Sequence, residues 1–106
     1  MGSPFATGTV QEYAQPTRVG SRQPLGYQQI TDLSAAVGLT VPDGARFALI
    51  QAKTKALVWR DDGTAPTSTV GMDLAAGSTL EYPGDLTTIK LIEAEASATC
   101  NVSYYA

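Results

Sequence analysis

Apolar and polar residues alternate in short stretches from Gln28 to the end of the chain, and turn signals separate the stretches. The period of two is clearest near the C-terminus. One face of that stretch carries Ala98, Cys100, Val102 and Tyr104, and the other carries Thr99, Asn101, Ser103 and Tyr105. Alternation of this kind is typical of a strand that is buried on one face. We therefore expect a last strand that places Cys100 in the core.

The same pattern predicts five earlier strands. They cover residues 46–54, 56–60, 68–74, 78–82 and 87–95. Pro-Asp-Gly at 42–44 and Pro-Gly-Asp at 83–85 are strong turn signals between them. Short strands separated by turns every 8–12 residues predict an all-β domain, either a small antiparallel β-sandwich or a jelly-roll-like barrel. Residues 32–39 could instead form a helical turn, and we expect a two-residue hairpin junction near residue 96.

Residues 1–27 follow neither period for more than a few positions and are rich in Pro, Gly, Gln, Ser and Thr. Two interpretations stay open: a disordered tail, or an extended arm that becomes ordered against a neighbouring subunit. The division expected from the sequence is an arm at 1–27 and a sandwich at 28–106. The apolar residues spaced along the arm are candidate interface residues: Phe5, Val10, Tyr13, Val19, Leu25 and Tyr27.

Length and charge narrow the range of partners. The chain has 106 residues, which favours one domain, and its net charge is -3. Its seven Lys and Arg residues are scattered among acids, so the sequence predicts no nucleic-acid partner, because phosphate binding needs clustered positive charge. No apolar run reaches the ~18 residues of a membrane span, and we expect no membrane partner.

The rarity of two residue types excludes several chemistries. The chain has no His and one Cys. Ser-His-Asp and Cys-His nucleophile arrangements are therefore excluded, and a structural zinc site lacks ligands. We predict a protein that is not an enzyme, with no catalytic residues, no metal site and no cofactor.

The stretch WRDDGTAPT, residues 59–67, holds the most concentrated chemistry. Paired carboxylates can serve as acid and base or bind calcium, but the spacing lacks the alternating acids of an EF-hand loop. Asp and Gly also end strands, and this favours a turn. A large ring on a strand favours core or subunit interface for Trp59. Trp59, Arg60, Asp61 and Asp62 are therefore further candidate interface residues.

Five stretches in order resemble a known family. They are LGYQQIT (25–31), ALIQA (48–52), VWRDDGTAPTSTVGMDL (58–74), LEYPGDL (80–86) and NVSYY (101–105). Together they resemble a family of small virion-associated proteins of tailed bacteriophages and prophages. The resemblance implies a compact β fold and a non-enzymatic structural role in the particle. It excludes the arm, and residues 53–55 depart from it in charge.

The expected function is that of a virion structural protein, assembled in the bacterial host cytoplasm. The favoured role is a head decoration (cement) protein bound to the major capsid protein or other virion proteins, as a homo-oligomer around a symmetry axis. One alternative is a neck, collar or tail accessory protein. Another is a carbohydrate-binding module that contacts the host surface through Trp59, Asp61 and the tyrosines.

Overall fold

The computed structural model describes residues 22–106, and no helix occurs within that range. Its regular structure consists of eight strands: β1 (Pro24–Ile30), β2 (Val37–Gly38), β3 (Phe47–Ala52), β4 (Leu57–Arg60), β5 (Met72–Leu74), β6 (Thr79–Tyr82), β7 (Lys90–Glu93) and β8 (Cys100–Tyr105). Most of the predicted arm lies outside the described residues. The same is true of four of its candidate contacts, Phe5, Val10, Tyr13 and Val19.

The strands form two antiparallel sheets of four strands each. The first sheet has the order β1-β8-β3-β6, and the second has the order β2-β7-β4-β5. Apolar side chains from the facing surfaces of both sheets meet in a single core. The predicted all-β antiparallel sandwich is thereby confirmed.

The core contains alternate residues of the central strands. Ile50 and Val102 of the first sheet and Leu57 and Leu91 of the second are each 0% exposed. Cys100 is equally buried, and burial raises the pKa of its thiol to about 12. The predicted placement of Cys100 in the core is confirmed, and its environment is that of a small apolar side chain.

Strand β1 begins at Pro24, four residues before the predicted start of the domain. It pairs with β8 from Pro24 opposite Tyr105 to Ile30 opposite Cys100. An edge strand tolerates proline because one of its sides makes no ladder hydrogen bonds, and the register shift between Pro24 and Gly26 accommodates the ring. Leu25 and Tyr27 therefore belong to the sandwich and not to the arm.

Residues 32–39 form a turn and the short strand β2, not a helical turn. Asp32 Oδ1 accepts hydrogen bonds from the Ser34 amide at 3.1 Å and from its hydroxyl at 2.6 Å. A side chain that accepts a hydrogen bond from the backbone amide two residues later favours a turn over a helix. The turn directs Leu33 into the core, where it is 1% exposed.

The expected hairpin junction near residue 96 is wrong. Strands β7 and β8 belong to different sheets, so residues 94–99 form a crossing loop and not a tight turn. Two predicted strands are also shorter than expected. The 68–74 strand shrinks to β5, and the 87–95 strand shrinks to β7 because a turn closed by Asp85 and Thr87 occupies its start.

Candidate functional site

The end of β4 and the two residues that follow form a corner of the sandwich, called here the 59–62 corner (Trp59, Arg60, Asp61 and Asp62). Trp59 is half-buried and packs against the core. Its ring meets the ring of Tyr82 edge to face, with centroids 6.0 Å apart and planes at 70°. Since β4 and β6 belong to different sheets, this aromatic contact joins the sheets at the corner.

Asp61 holds the same tyrosine by a hydrogen bond. The Tyr82 hydroxyl donates to Asp61 Oδ2 at 2.7 Å. Burial, and then the neighbouring Asp61 carboxylate, raise the pKa of Tyr82 to about 12. The Asp61 carboxylate thus has a structural partner in the corner.

Arg60 pairs with Asp62 and not with Asp61. Arg60 Nε donates to Asp62 Oδ1 at 3.1 Å, and the Nη2 group donates to the second carboxylate oxygen. This bidentate interaction holds the pKa of Asp62 below its usual value and raises the pKa of Arg60. Asp62 Oδ1 also accepts from the Thr64 amide at 3.3 Å, and Gly63 has a φ of 85°. The Asp-Asp-Gly stretch is therefore a turn.

The loop leads into β5 through Gly71, where its backbone lies close against β4. Thr67 Oγ1 accepts from the Val70 amide at 3.0 Å and closes the turn before it. Gly71 has a φ of 145° and passes directly over Val58 and the Trp59 carbonyl. This passage covers Val58, which is 1% exposed although it lies on the outer face of β4.

Two apolar side chains beside the corner point into solvent. Val70 is 52% exposed and Met72 is 59% exposed. A shallow depression lies between Met72 and the ion pair, and it is lined by Arg60, Asp61, Asp62, Gly71 and Met72. The sequence did not single out Val70 or Met72, because a strand predicted across 68–74 hides the bend at Gly71 that exposes them.

The outer face of the first sheet carries a second group of ordered polar side chains, called here the amide face (Tyr27, Gln29, Gln51 and Asn101). Asn101 Oδ1 accepts from the Tyr27 hydroxyl at 2.7 Å and from Gln29 Nε2 at 3.1 Å. Asn101 Nδ2 donates to Gln51 Oε1 at 3.2 Å. Of these four residues, only Tyr27 was a candidate interface residue from the sequence. Neutral amides on an exposed face give no pattern signal, and their partners lie 50 or more residues away in the chain.

The predicted interface residues are thus divided by the structure. Trp59 to Asp62 are brought together with Tyr82, Leu25 packs against the core, and Tyr27 lies on the amide face. Within residues 22–106, no three His, Cys, Asp or Glu side chains are grouped so that they could hold a metal ion. No helix in that same range is long and apolar enough to cross a membrane. No protein-family model, curated protein or solved structure was found to match the chain.

Proposed function

We propose that this protein is a structural component of a tailed-phage virion, and specifically a head decoration protein bound to the capsid lattice. The observation that carries the proposal is the 59–62 corner together with its two exposed apolar neighbours, Val70 and Met72. A decoration protein needs a firm attachment surface and no reaction chemistry.

The composition of this surface suits a protein partner. Interface centres are apolar and lack unpaired charge, whereas their rims are polar. Val70 and Met72 supply the apolar part, and Arg60 paired with Asp62 supplies a rim whose charges are already balanced. Met is flexible and polarisable, and it adapts well to a partner surface.

The corner is also rigid before a partner binds. The Trp59 ring, the Tyr82 hydroxyl and the Asp61 carboxylate fix one another across the two sheets. Gly71 fixes the segment between Val70 and Met72 against β4. A surface that is ordered in the free protein loses little conformational entropy on binding, and this favours affinity.

The resemblance to small phage virion proteins supports the same role. Its five stretches fall on β1, on β3, on the whole passage from β4 through the loop to β5, on β6, and on β8. The longest stretch contains the corner, Val70 and Met72. The similarity therefore covers both the framework of the sandwich and the surface proposed for attachment.

Attachment and self-association would add stability that a small sandwich lacks. A domain of this size buries a limited core, and any partner that binds the folded form stabilises it by mass action. We propose a homo-oligomer arranged around a symmetry axis of the lattice. The N-terminal segment, with its apolar anchor residues, is the second proposed contact with the lattice or with a neighbouring subunit.

The experiment is co-sedimentation of the purified protein with particles of the encoding phage that lack it. The Val70→Glu/Met72→Glu double variant places charge on the attachment surface, and we expect at least about a tenfold loss of bound copies. The Ala75→Glu/Ala76→Glu double variant is the matched control, since it adds the same two charges at exposed residues of the loop between β5 and β6. Full binding by the double variant would remove the corner from the attachment surface.

A further inference from the structure

The amide face is built as one continuous row across three strands. Gln29 of β1 lies opposite Asn101 of β8, and Asn101 lies opposite Gln51 of β3. Tyr27 stands two residues along β1 from Gln29, so it lies on the same face of the sheet. The row thus presents one aromatic ring and three neutral amides to solvent on a single sheet surface.

Hydrogen bonds within the row fix the side chains while leaving some polar groups free. Asn101 Oδ1 uses both of its lone pairs, for Tyr27 and for Gln29. Within residues 22–106, Gln51 Nε2 and Gln29 Oε1 have no hydrogen-bond partner, so the row ends in a free donor at one side and a free acceptor at the other. The side chains are ordered before any ligand arrives.

The tyrosine ring completes a mixed surface. Tyr27 is 65% exposed, yet its hydroxyl is bound to Asn101, so the ring is held in place with its apolar surface available. An aromatic ring with a fixed polar tip suits a ligand that has both apolar C–H groups and hydroxyls. The six-membered ring of a sugar has this character, because its C–H groups point to its faces and its hydroxyls point outward.

The surface has a shallow groove of suitable size. A depression lies beside three members of the row, Tyr27, Gln51 and Asn101, and its other lining residues are Leu49, Thr79 and Ser103. A second depression adjoins it at Leu49 and continues to Phe47, Tyr105, Glu81 and Arg22. The Arg22 guanidinium lies over the Phe47 ring, 4.1 Å from its centroid. Four strands spaced ~4.8 Å apart give a face roughly 14 Å across, enough for a short oligosaccharide of about three rings.

The polar groups of the groove favour a sugar over a protein. Neutral amides and hydroxyls buried under a protein surface are costly unless each finds a partner. A polyhydroxylated ligand offers both donors and acceptors at every ring and meets that requirement readily. The side chains that line the depression over the row carry no charge, so this depression does not favour an ionic ligand; Arg22 and Glu81 lie in the adjoining depression.

We infer that the amide face is a binding site for a neutral oligosaccharide, with Tyr27 as the stacking platform and Gln29, Gln51 and Asn101 as the hydrogen-bonding row. This function is additional to virion attachment. It also places glycan binding away from the 59–62 corner, where Trp59 is half-buried and Asp61 is bound to Tyr82. A particle that carries many copies would gain avidity from weak single sites.

The test is a titration of the ¹⁵N-labelled full chain with three probes: maltotriose, a galactose trisaccharide and tri-N-acetylchitotriose. For at least one probe we expect saturable NMR shifts in the side-chain amides of Gln51 and Asn101, with a Kd on the order of 1 mM, as befits a small polar ligand. Absence of saturable shifts with all three probes at about 50 mM, far above that Kd, would overturn the inference.

Variants separate this site from the rest of the surface. Tyr27→Ala and Asn101→Ala are expected to weaken binding at least about tenfold, which corresponds to 1.4 kcal/mol. Tyr27→Phe keeps the ring and is expected to lose less than Tyr27→Ala. Met72→Ala is the matched control at an exposed apolar side chain of the other sheet, and its Kd is expected to equal that of the unaltered chain.

Two further outcomes would also contradict the sugar site. Saturable shifts that centre on Trp59 and Asp61 would place the sugar at the corner. Shifts of Tyr27 and Asn101 that depend on protein concentration without sugar would identify the face as an interface between copies. Particle binding is measured separately, so a failure here leaves the attachment proposal standing, and a failure there leaves this inference standing.

Discussion

Gly71 is the residue on which the shape of the proposed attachment surface depends. A Cβ atom at this position would lie 2.5 Å from Val58 Cγ1 and 2.9 Å from the Trp59 carbonyl oxygen. Its φ of 145° also lies in the region that disfavours side chains. The glycine thus brings the loop close enough to cover Val58 and to expose Val70 and Met72.

We predict that Gly71→Ala lowers the free energy of unfolding by about 2–4 kcal/mol, from steric overlap plus backbone strain. Urea denaturation measures the loss. Gly63→Ala is the matched control, because Gly63 also has a positive φ but a Cβ atom there would meet no other atom within 4 Å. Its cost is expected to be about 1–2 kcal/mol, from backbone strain. Equal losses for the two variants would show that the close passage is absent.

Tyr82 makes the stability of the corner sensitive to alkaline pH. Burial and Asp61 raise its pKa to about 12, above the ordinary value of 10.0, so the folded protein holds this proton more tightly than the unfolded chain. Its contribution is complete below pH 10 and is lost as the pH rises towards about 12. Burial raises the pKa of Tyr104 to about 12 as well, and it adds to the same loss.

We therefore predict that the urea midpoint falls steeply between about pH 10 and pH 12, and that Tyr82→Phe falls less steeply because one of the contributing hydroxyls is gone. Tyr104→Phe removes the other contributing hydroxyl, and its slope is also expected to be shallower than that of the unaltered chain. A Tyr82→Phe slope equal to that of the unaltered chain would contradict the assigned role of the buried hydroxyl.

The sequence predicted the turn at residues 61–63 but not the separate roles of its two aspartates. An Asp-Asp-Gly stretch after a strand signals a turn by local chemistry. That Asp61 binds Tyr82 while Asp62 binds Arg60 depends on β4 and β6 meeting at one end of the sandwich. Tyr82 lies 21 residues from Asp61, and periodicity carries no information about such a pair.

At the scale of elements, the sequence located the strands that have one clearly buried face. Alternation identified β3, β4 and β6 to within two residues at each end. It failed where loops decide the structure, since β5 and β7 begin later than predicted and residues 32–39 form a turn. It also could not tell that β7 and β8 lie in different sheets, because a period of two identifies strands but not their neighbours.

Strand β1 begins inside the segment that the sequence predicted to be the arm. The sequence pattern assigns residues 24–27 to the arm, yet Pro24, Gly26 and Tyr27 pair with β8, and Leu25 packs against the core. The Ala106 amide also donates to the Gln23 carbonyl at 2.9 Å and extends the pairing. The sandwich therefore needs residues that a cut at Gln28 removes.

Two truncations test this boundary. We predict that a chain lacking residues 1–27 is less stable to urea than a chain lacking residues 1–21, by about 2 kcal/mol or more, because it loses the Leu25 contacts and half of the β1 ladder. The longer of the two chains serves as the control for removal of the N-terminal segment. Equal stability of the two would place the start of the domain at Gln28 after all.

At the scale of the whole molecule, the sandwich carries the two surfaces for which we propose functions. The 59–62 corner lies where Tyr82 pairs with Ala48, and the amide face lies on the outer side of the first sheet, where Gln51 pairs with Thr79. These positions are three residues apart along β3, roughly 10 Å. The proposed attachment surface and the amide face are therefore separate parts of the sandwich surface.

The central claim is that this chain is a structural protein of the phage head, and the measurement that tests it most directly is its copy number in purified particles by quantitative mass spectrometry. A decoration protein bound throughout a symmetric lattice is expected in copies on the order of hundreds per particle. About a dozen copies would place it at the neck, collar or tail, as a single ring of about twelve subunits. Absence of the chain from purified particles would contradict the virion role itself.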